Sequence, residues 1–351
     1  MIFLKILLWP FSILYGAIAA YRNYLYTIGW SKSYELPVAV ICVGNLKAGG
    51  TGKTPFTQFL LKKFASIYPT AVLSRGYGRK TKGFVLAHEY ASAIDIGDEP
   101  LQLFTHAQGH YHVAVCEDRV AGVNQLLQLF PDLKLVILDD GFQHRRIKRD
   151  INILLTEYKD PFYDDLVLPA GRLREFRGGA SRADMIVVTK SSAHFQPLDE
   201  KLFYQYTGNN IPIHYTAIQY GSFKKENAVE FGNILKKVIL ITGIANPLPL
   251  LEYLKFQNIE IIEHIGYKDH HTYSKDDLLA IEELRRANTD IRILTTEKDW
   301  VKIVPLLKAY GIENTWLYIP IDILMQTDEE KMVSVIQTKI TERLNRLTNL
   351  I

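Results

Sequence analysis

Residues 43–55, VGNLKAGGTGKTP, restrict the fold of this chain more than any other stretch. An apolar run at 38–44 leads into them, and KTPFTQFLLKKF, with helical spacing, follows. Successive backbone N–H groups of Gly49, Gly50, Thr51, Gly52, Lys53 and Thr54 would line one concavity, with the positive end of the next helix behind it. A phosphate suits such a concavity. In that role Lys53 reaches the β- and γ-phosphates and the Thr54 hydroxyl ligates Mg2+. Pro55 sits in the first helical turn, where its missing N–H costs little. One residue departs from the G-x-x-x-x-G-K-[ST] pattern: the first glycine should stand at 47, and the chain has Lys47. The backbone still curls through Gly44, Gly49, Gly50 and Gly52, so the chemistry survives.

A strand–loop–helix of this kind belongs to an α/β sheet. Apolar runs at 38–44, 71–74, 112–117, 134–140, 151–157 and 185–190 read as strands buried on both faces, and 54–66 and 118–130 read as helices. The alternation predicts a P-loop NTPase-like, mostly parallel sheet. A second series, KVILITG, IEIIEHIGY, IRILTTEKD and TWLYIPI, starts near residue 236 and predicts a second, smaller α/β domain. The stretch 191–235 is more polar and less regular and holds the junction. The expected division is an N-terminal apolar helix at 1–34, a nucleotide-binding domain at 35–210 and a C-terminal domain at 211–351.

The N-terminus is apolar from Phe3 to Tyr21 except for Lys5 and Ser12, with Tyr and Trp gathered around it. No small-x-small cleavage site opens onto a mature start, so a signal peptide is disfavoured. Contact with a membrane surface is the expectation, and spanning versus lying in the interface stays open. A net charge of +3 is too mild to argue for nucleic acid. Cys42 and Cys116 both lie in strand-like runs, as core thiols of a reducing compartment would.

A phosphate loop needs an acidic partner for its metal, usually at the end of a hydrophobic strand. Asp139 and Asp140, closing LVILDD, stand at such an end. A second acidic segment, DIGDEP, carries Asp95, Asp98 and Glu99.

At LDDGFQHRRIKRD (138–150) the pattern becomes specific. Together with GNLKAGGTGKTP, LSRGYGR, GDEP, LPAGRLRE, TGIANP, KDHHTYS and TTEKD, in that family's order from 43 to 299, the chain resembles the tetraacyldisaccharide 4′-kinases, which make lipid A. The resemblance implies transfer of the γ-phosphate of ATP, with Mg2+, to the 4′-hydroxyl of a tetraacylated glucosamine disaccharide 1-phosphate. It implies work at the cytoplasmic face of the bacterial inner membrane, with a lipid partner and a membrane-associated first helix. Residue 47 is not glycine in that family either. Carried over, Asp139 and Asp140 manage the metal with Glu99 beside them, and Asp98 acts with a histidine, His270 or its neighbour His271. Arg119, Arg174 and Arg75 surround the transferring phosphate, Glu175 assists metal or substrate, and Gln143 and His144 order the loop after the acids. VVTK and TTEKD have the look of guanine-reading motifs, but both read better as strand ends near the cleft, so ATP is expected rather than GTP. The rival reading is a P-loop NTPase that works as a switch or maturation factor for a protein partner.

Overall fold

The computed structural model describes residues 2–192, 194–208, 210–225, 229–232, 235–287 and 291–349. Helix α1 (Ile2–Thr27) comes first. Then follow β1 (Ala39–Asn45), α2 (Lys53–Phe64), β2 (Thr70–Ser74), β3 (Val85–Leu86), α3 (Ala93–Ile96), α4 (Asp98–Ala107), β4 (His112–Val115) and α5 (Arg119–Leu129). The run continues with β5 (Leu135–Asp139), β6 (Ile151–Glu157), β7 (Met185–Thr189), α6 (Glu200–Thr207) and β8 (Ile213–Tyr220). Then come β9 (Lys237–Thr242), α7 (Leu248–Phe256), β10 (Glu260–Gly266), α8 (Lys275–Arg286), β11 (Arg292–Thr296), α9 (Glu297–Tyr310) and β12 (Trp316–Ile319). The chain closes with β13 (Ile321–Met325) and α10 (Glu329–Thr348).

Among the described residues, nine strands form one sheet in the order β13-β8-β7-β6-β1-β5-β2-β4-β3, with only β3 and β13 antiparallel to their neighbours. Each residue of β1 is buried. Ala39, Ile41 and Val43 face Phe56, Leu60 and Phe64 of α2, while Val40 and Cys42 face the side covered by Val120, Val123 and Leu126 of α5. Full burial of a side chain of this size contributes roughly 1.5–3 kcal/mol, which is why the sheet is held from both faces. A second, parallel sheet has the order β10-β9-β11-β12.

The expected junction at 210/211 falls between β7 and β8, which pair within the large sheet. The C-terminal α10 also returns there, setting Met332, Ile336 and Ile340, one helical face, against the core around β1. The small sheet is therefore an insertion between β8 and β13. Two local signals hid this. Strand β8, IHYTAIQY, carries polar residues and lacks a continuous apolar run. TWLYIPI reads as one strand but is two: Pro320, which has no N–H for a ladder, separates β12 of the small sheet from β13 of the large one.

Helix α1 lies against the body along one stripe. Ser12 Oγ accepts from the Ala170 N–H at 2.9 Å, Gly16 lies against the Phe176 ring, and Asn23 Nδ2 donates to Glu175 Oε2 at 2.6 Å. The opposite face leaves Ile6, Leu7, Leu14, Ile18 and Tyr21 more than 60% exposed. Among the described residues no helix is long and apolar enough to cross a membrane.

Candidate active site

Strand β1 delivers the glycine-rich loop to the C-terminal edge of the large sheet. In the parallel register Val43 stands opposite Asp139, so the acidic end of β5 lies beside the start of the loop. A Cβ at Gly44 would fall 2.7 Å from the Phe142 nitrogen, so only glycine lets the segment after β5 come this close. Gly52, with φ of 81°, turns the chain into α2 in a conformation that costs other residues energy.

The loop is tied down from outside. Asn45 Nδ2 donates to Thr51 Oγ1 at 2.7 Å, Thr189 Oγ1 to the Thr51 carbonyl at 2.9 Å, and Lys190 Nζ to the Gly50 carbonyl at 2.5 Å. Lys47 explains its own place in the motif. Its buried ammonium pairs with Asp160 at 2.5 Å and Asp165 at 2.9 Å, so the residue replacing the usual glycine staples the loop to the segment after β6. Next to it the Ala48 N–H donates to the Arg172 carbonyl and the Arg174 N–H to the Leu46 carbonyl, both at 2.7 Å. That short ladder aims Arg174 at the acids: its Nη1 donates to Asp140 Oδ1 and Oδ2 at 3.0 and 3.1 Å.

Lys53, Asp139, Asp140, Glu99, Arg119 and Arg174 share one electrostatic neighbourhood, and Thr54 opens α2 beside Lys53. Lys53 Nζ is 3.7 Å from Asp140 Oδ1. Burial raises the Asp139 carboxyl to about 7, with Glu99 adding to the rise, although Lys53 and a 3.0 Å hydrogen bond from Thr57 Oγ1 oppose it. Burial also acts against ionising Asp140, yet Lys53, Arg174 and Arg119 outweigh it and hold that carboxyl below its ordinary range. Arg119 is buried, donates through Nη1 to the Cys116 and Glu117 carbonyls, and leaves Nε without a partner among the described residues. Arg75 is exposed after β2, close enough for its charge to act on Arg119.

Between the two sheets, His270 Nδ1 meets Asp98 Oδ2 at 3.1 Å. Asp98 opens α4 on the large sheet, and His270 lies in the loop between β10 and α8 on the small one. His270 adopts a φ of 61° and Asp140 one of 50°, left-handed conformations that His and Asp tolerate better than most residues. His271 turns away: its Nε2 meets Asp277 at 3.3 Å and its ring stacks on Tyr267. Of the two histidines, His270 is the one that faces Asp98.

A family model described as LpxK, tetraacyldisaccharide-1-P 4′-kinase, matches residues 4–341. The chain belongs to this family. A tetraacyldisaccharide 4′-kinase of Cytophaga hutchinsonii is 60% identical over 99% of both chains. That of Flavobacterium psychrophilum is 38% identical over 94% of this chain and 95% of its own. A crystal structure of LpxK from Aquifex aeolicus in complex with ATP is similar at a TM-score of 0.79 and 32% identity, covering 96% of this chain and 99% of that one. The likeness spans both sheets, so the large one is the P-loop kinase fold expected from the sequence.

Within this member of the tetraacyldisaccharide-1-P 4′-kinase family, Glu175 sits differently from its expected metal or substrate role. It is buried, and its oxygens accept from Asn23 of α1, Gln143 and Arg182 at 2.6, 3.0 and 2.7 Å. Those bonds make it a brace between α1 and the loop after β5. Gln143 also donates to the Asn45 carbonyl, so it ties that loop to β1 as expected. VVTK and TTEKD do end strands, at the C-terminal ends of β7 and β11, Lys190 holding the phosphate loop and Thr296 capping α9. Sequence reasoning passed over Tyr77, whose ring is 5.6 Å from that of His270, and Lys302 of α9. Tyr77 lay inside the quoted LSRGYGR. Lys302 lies one helical turn after Asp299 and therefore on its face, the only signal available for it.

Proposed function

We propose that this chain transfers the γ-phosphate of ATP to the 4′-hydroxyl of a tetraacylated glucosamine disaccharide 1-phosphate, using ATP and Mg2+, as a tetraacyldisaccharide 4′-kinase of bacterial lipid A synthesis. The observation that carries the reading is a phosphate loop and an Asp–His pair on two sheets of one chain of this family. A sugar hydroxyl is a poor nucleophile, so a base must take its proton as the bond to phosphorus forms and the bond to the ADP oxygen breaks. With Nδ1–H donated to Asp98, His270 keeps Nε2 to receive that proton. Lys53, Arg119, Arg174 and Arg75 supply positive charge around the three equatorial oxygens. The backbone from Gly49 to Thr54 holds the phosphates in line.

Mg2+ usually takes one or two carboxylates together with substrate phosphates rather than a protein cage. No group of three or more His, Cys, Asp and Glu converges on such a cage among the described residues, whereas Thr54 and the buried Asp139, with the half-buried Asp140 and Glu99, suit the smaller donor set. A buried carboxyl raised to about 7 is a group that a neighbouring divalent cation would ionise. Thr54, Asp139, Asp140 and Glu99 would hold the ion, which when bound neutralises charge on the β- and γ-phosphates.

In this reading the two sheets are the walls of a cleft, and closure over ATP brings His270 to the hydroxyl. Helix α1 lies in the cytoplasmic face of the inner membrane with its exposed apolar side inserted. Four acyl chains then stay in the bilayer, where extraction costs about 0.8 kcal/mol per CH2. The test is transfer of labelled phosphate from ATP to the tetraacylated disaccharide 1-phosphate in mixed micelles. A doubly phosphorylated lipid supports the kinase. ATP hydrolysis at one rate with and without lipid, with no phosphate on lipid, would mean a switch acting on a protein partner.

A further inference from the structure

Two segments quoted from the sequence, TGIANP and TTEKD, meet at the Asp299 side chain, and Lys302, which lies outside both, joins them to KDHHTYS. The fully buried Asp299 accepts at Oδ2 from the Gly243 N–H at 2.8 Å and from Thr296 Oγ1 at 2.7 Å. Its Oδ1 lies 3.2 Å from Nζ of Lys302. The Lys302 ammonium is buried too, donates to the His271 carbonyl at 3.1 Å, and lies 5.4 Å from the Tyr273 ring centroid. Its remaining reach crosses the cleft to Asp98 Oδ2, at 3.3 Å. That is the oxygen His270 Nδ1 contacts.

We infer that Lys302 is a positioning residue for the proposed phosphoryl transfer, fixing through Asp98 the orientation of the His270 imidazole. The inference rests on the kinase reading above. A carboxylate bonded by one donor swings about its bond to Cβ. With Lys302 and His270 sharing Oδ2, the rotamer of Asp98 is set, and with it the direction of His270 Nε2. Lys302 is itself immobile, because Asp299 and the His271 carbonyl hold it on the small sheet.

The charges around the pair fit that role. His270 Nε2 is 3.7 Å from Asp269, which Lys298 neutralises at 2.8 Å.

The test uses the full chain with ATP and lipid in mixed micelles, and compares Lys302→Met and Lys302→Arg in wild-type and His270→Ala backgrounds. Lys302→Met is expected to lower kcat by about 10- to 100-fold, the scale of a misaligned catalytic group, with ATP affinity and the KM for lipid little changed. In the His270→Ala background the same substitution is expected to cost nothing further, because a residue acting through His270 has nothing left to orient. A loss of equal size in both backgrounds, a loss confined to KM, or a wild-type rate would each overturn the inference. If Lys302→Met fails to fold, Lys302→Arg decides: it keeps the charge but displaces the point contact, so kcat falls about threefold, and only where His270 is present. Absence of lipid phosphorylation by wild type would instead remove the kinase reading itself.

Discussion

Asp98 Oδ2 and His270 Nδ1 lie 3.1 Å apart although their residues are 172 positions apart and belong to different sheets. Each alone is an ordinary polar residue at a helix start or in a loop. Together they are an imidazole held by a carboxylate at one nitrogen. Asp98→Asn or His270→Ala is expected to reduce kcat by about 100- to 10,000-fold, the usual contribution of a general base, while ATP still binds. Single-turnover transfer and nucleotide binding, measured on the same preparations, separate the two.

Among the described residues Lys53 makes only a long bond to the Gly49 carbonyl and a 3.7 Å contact with Asp140, so its ammonium is available to phosphate. Lys53→Ala is expected to lower kcat by about 100- to 1,000-fold, the scale of a lost charge-stabilising donor. Unlike the His270 variant, it should also weaken ATP binding, which titration with a fluorescent ATP analogue would detect. Unchanged affinity would count against the phosphate role.

Lys47 should behave as a structural residue. Among the described residues Lys47→Met leaves Asp160 and Asp165 with only Arg172 as a cationic partner, and Asp165 is buried. Breaking a buried pair from one side costs about 3–5 kcal/mol, and the surviving Arg172 favours the low end. Denaturant unfolding would measure it. Glycine at this position, which restores the common motif, is expected to destabilise the chain as well.

His144 is half-buried, with its buried Nε2 unpartnered among the described residues, and desolvation lowers its imidazole to about 4, with Arg119 and Arg149 adding to the drop. The unfolded chain then binds the proton more readily than the folded one between about 6.5 and 4. Stability from this residue is present above the upper limit and lost as pH falls through the window. His144→Gln is expected to flatten that part of the melting temperature against pH, and a profile identical to wild type would contradict it.

The outer face of α1 should decide membrane binding. Replacing Ile6, Leu7, Leu14 and Ile18 together with Ser removes apolar surface that is mostly exposed to solvent, so thermal stability should hold. Co-sedimentation with anionic vesicles is expected to fall by at least about 100-fold, since each side chain contributes roughly 1–2 kcal/mol when inserted.

The sequence by itself determined the parts of this protein whose physics is local. A buried strand, a glycine turn and a helix start are all decided within about a dozen residues. So β1, the loop through Thr54, and Asp139 at the end of β5 were legible at nearly their true bounds. Only tertiary structure decided what depends on distant partners. Strand β8 exists because β7 and β13 flank it, and Pro320 divides one apolar run between two sheets. Glu175 became a brace because Asn23, Gln143 and Arg182 reach it first. His270 rather than His271 faces Asp98 because a left-handed backbone at 270 turns adjacent rings to opposite partners. Lys302 was invisible for the same reason: one lysine on an amphipathic helix has no local signature, and its meaning comes from a carboxylate on α4, beside the other sheet.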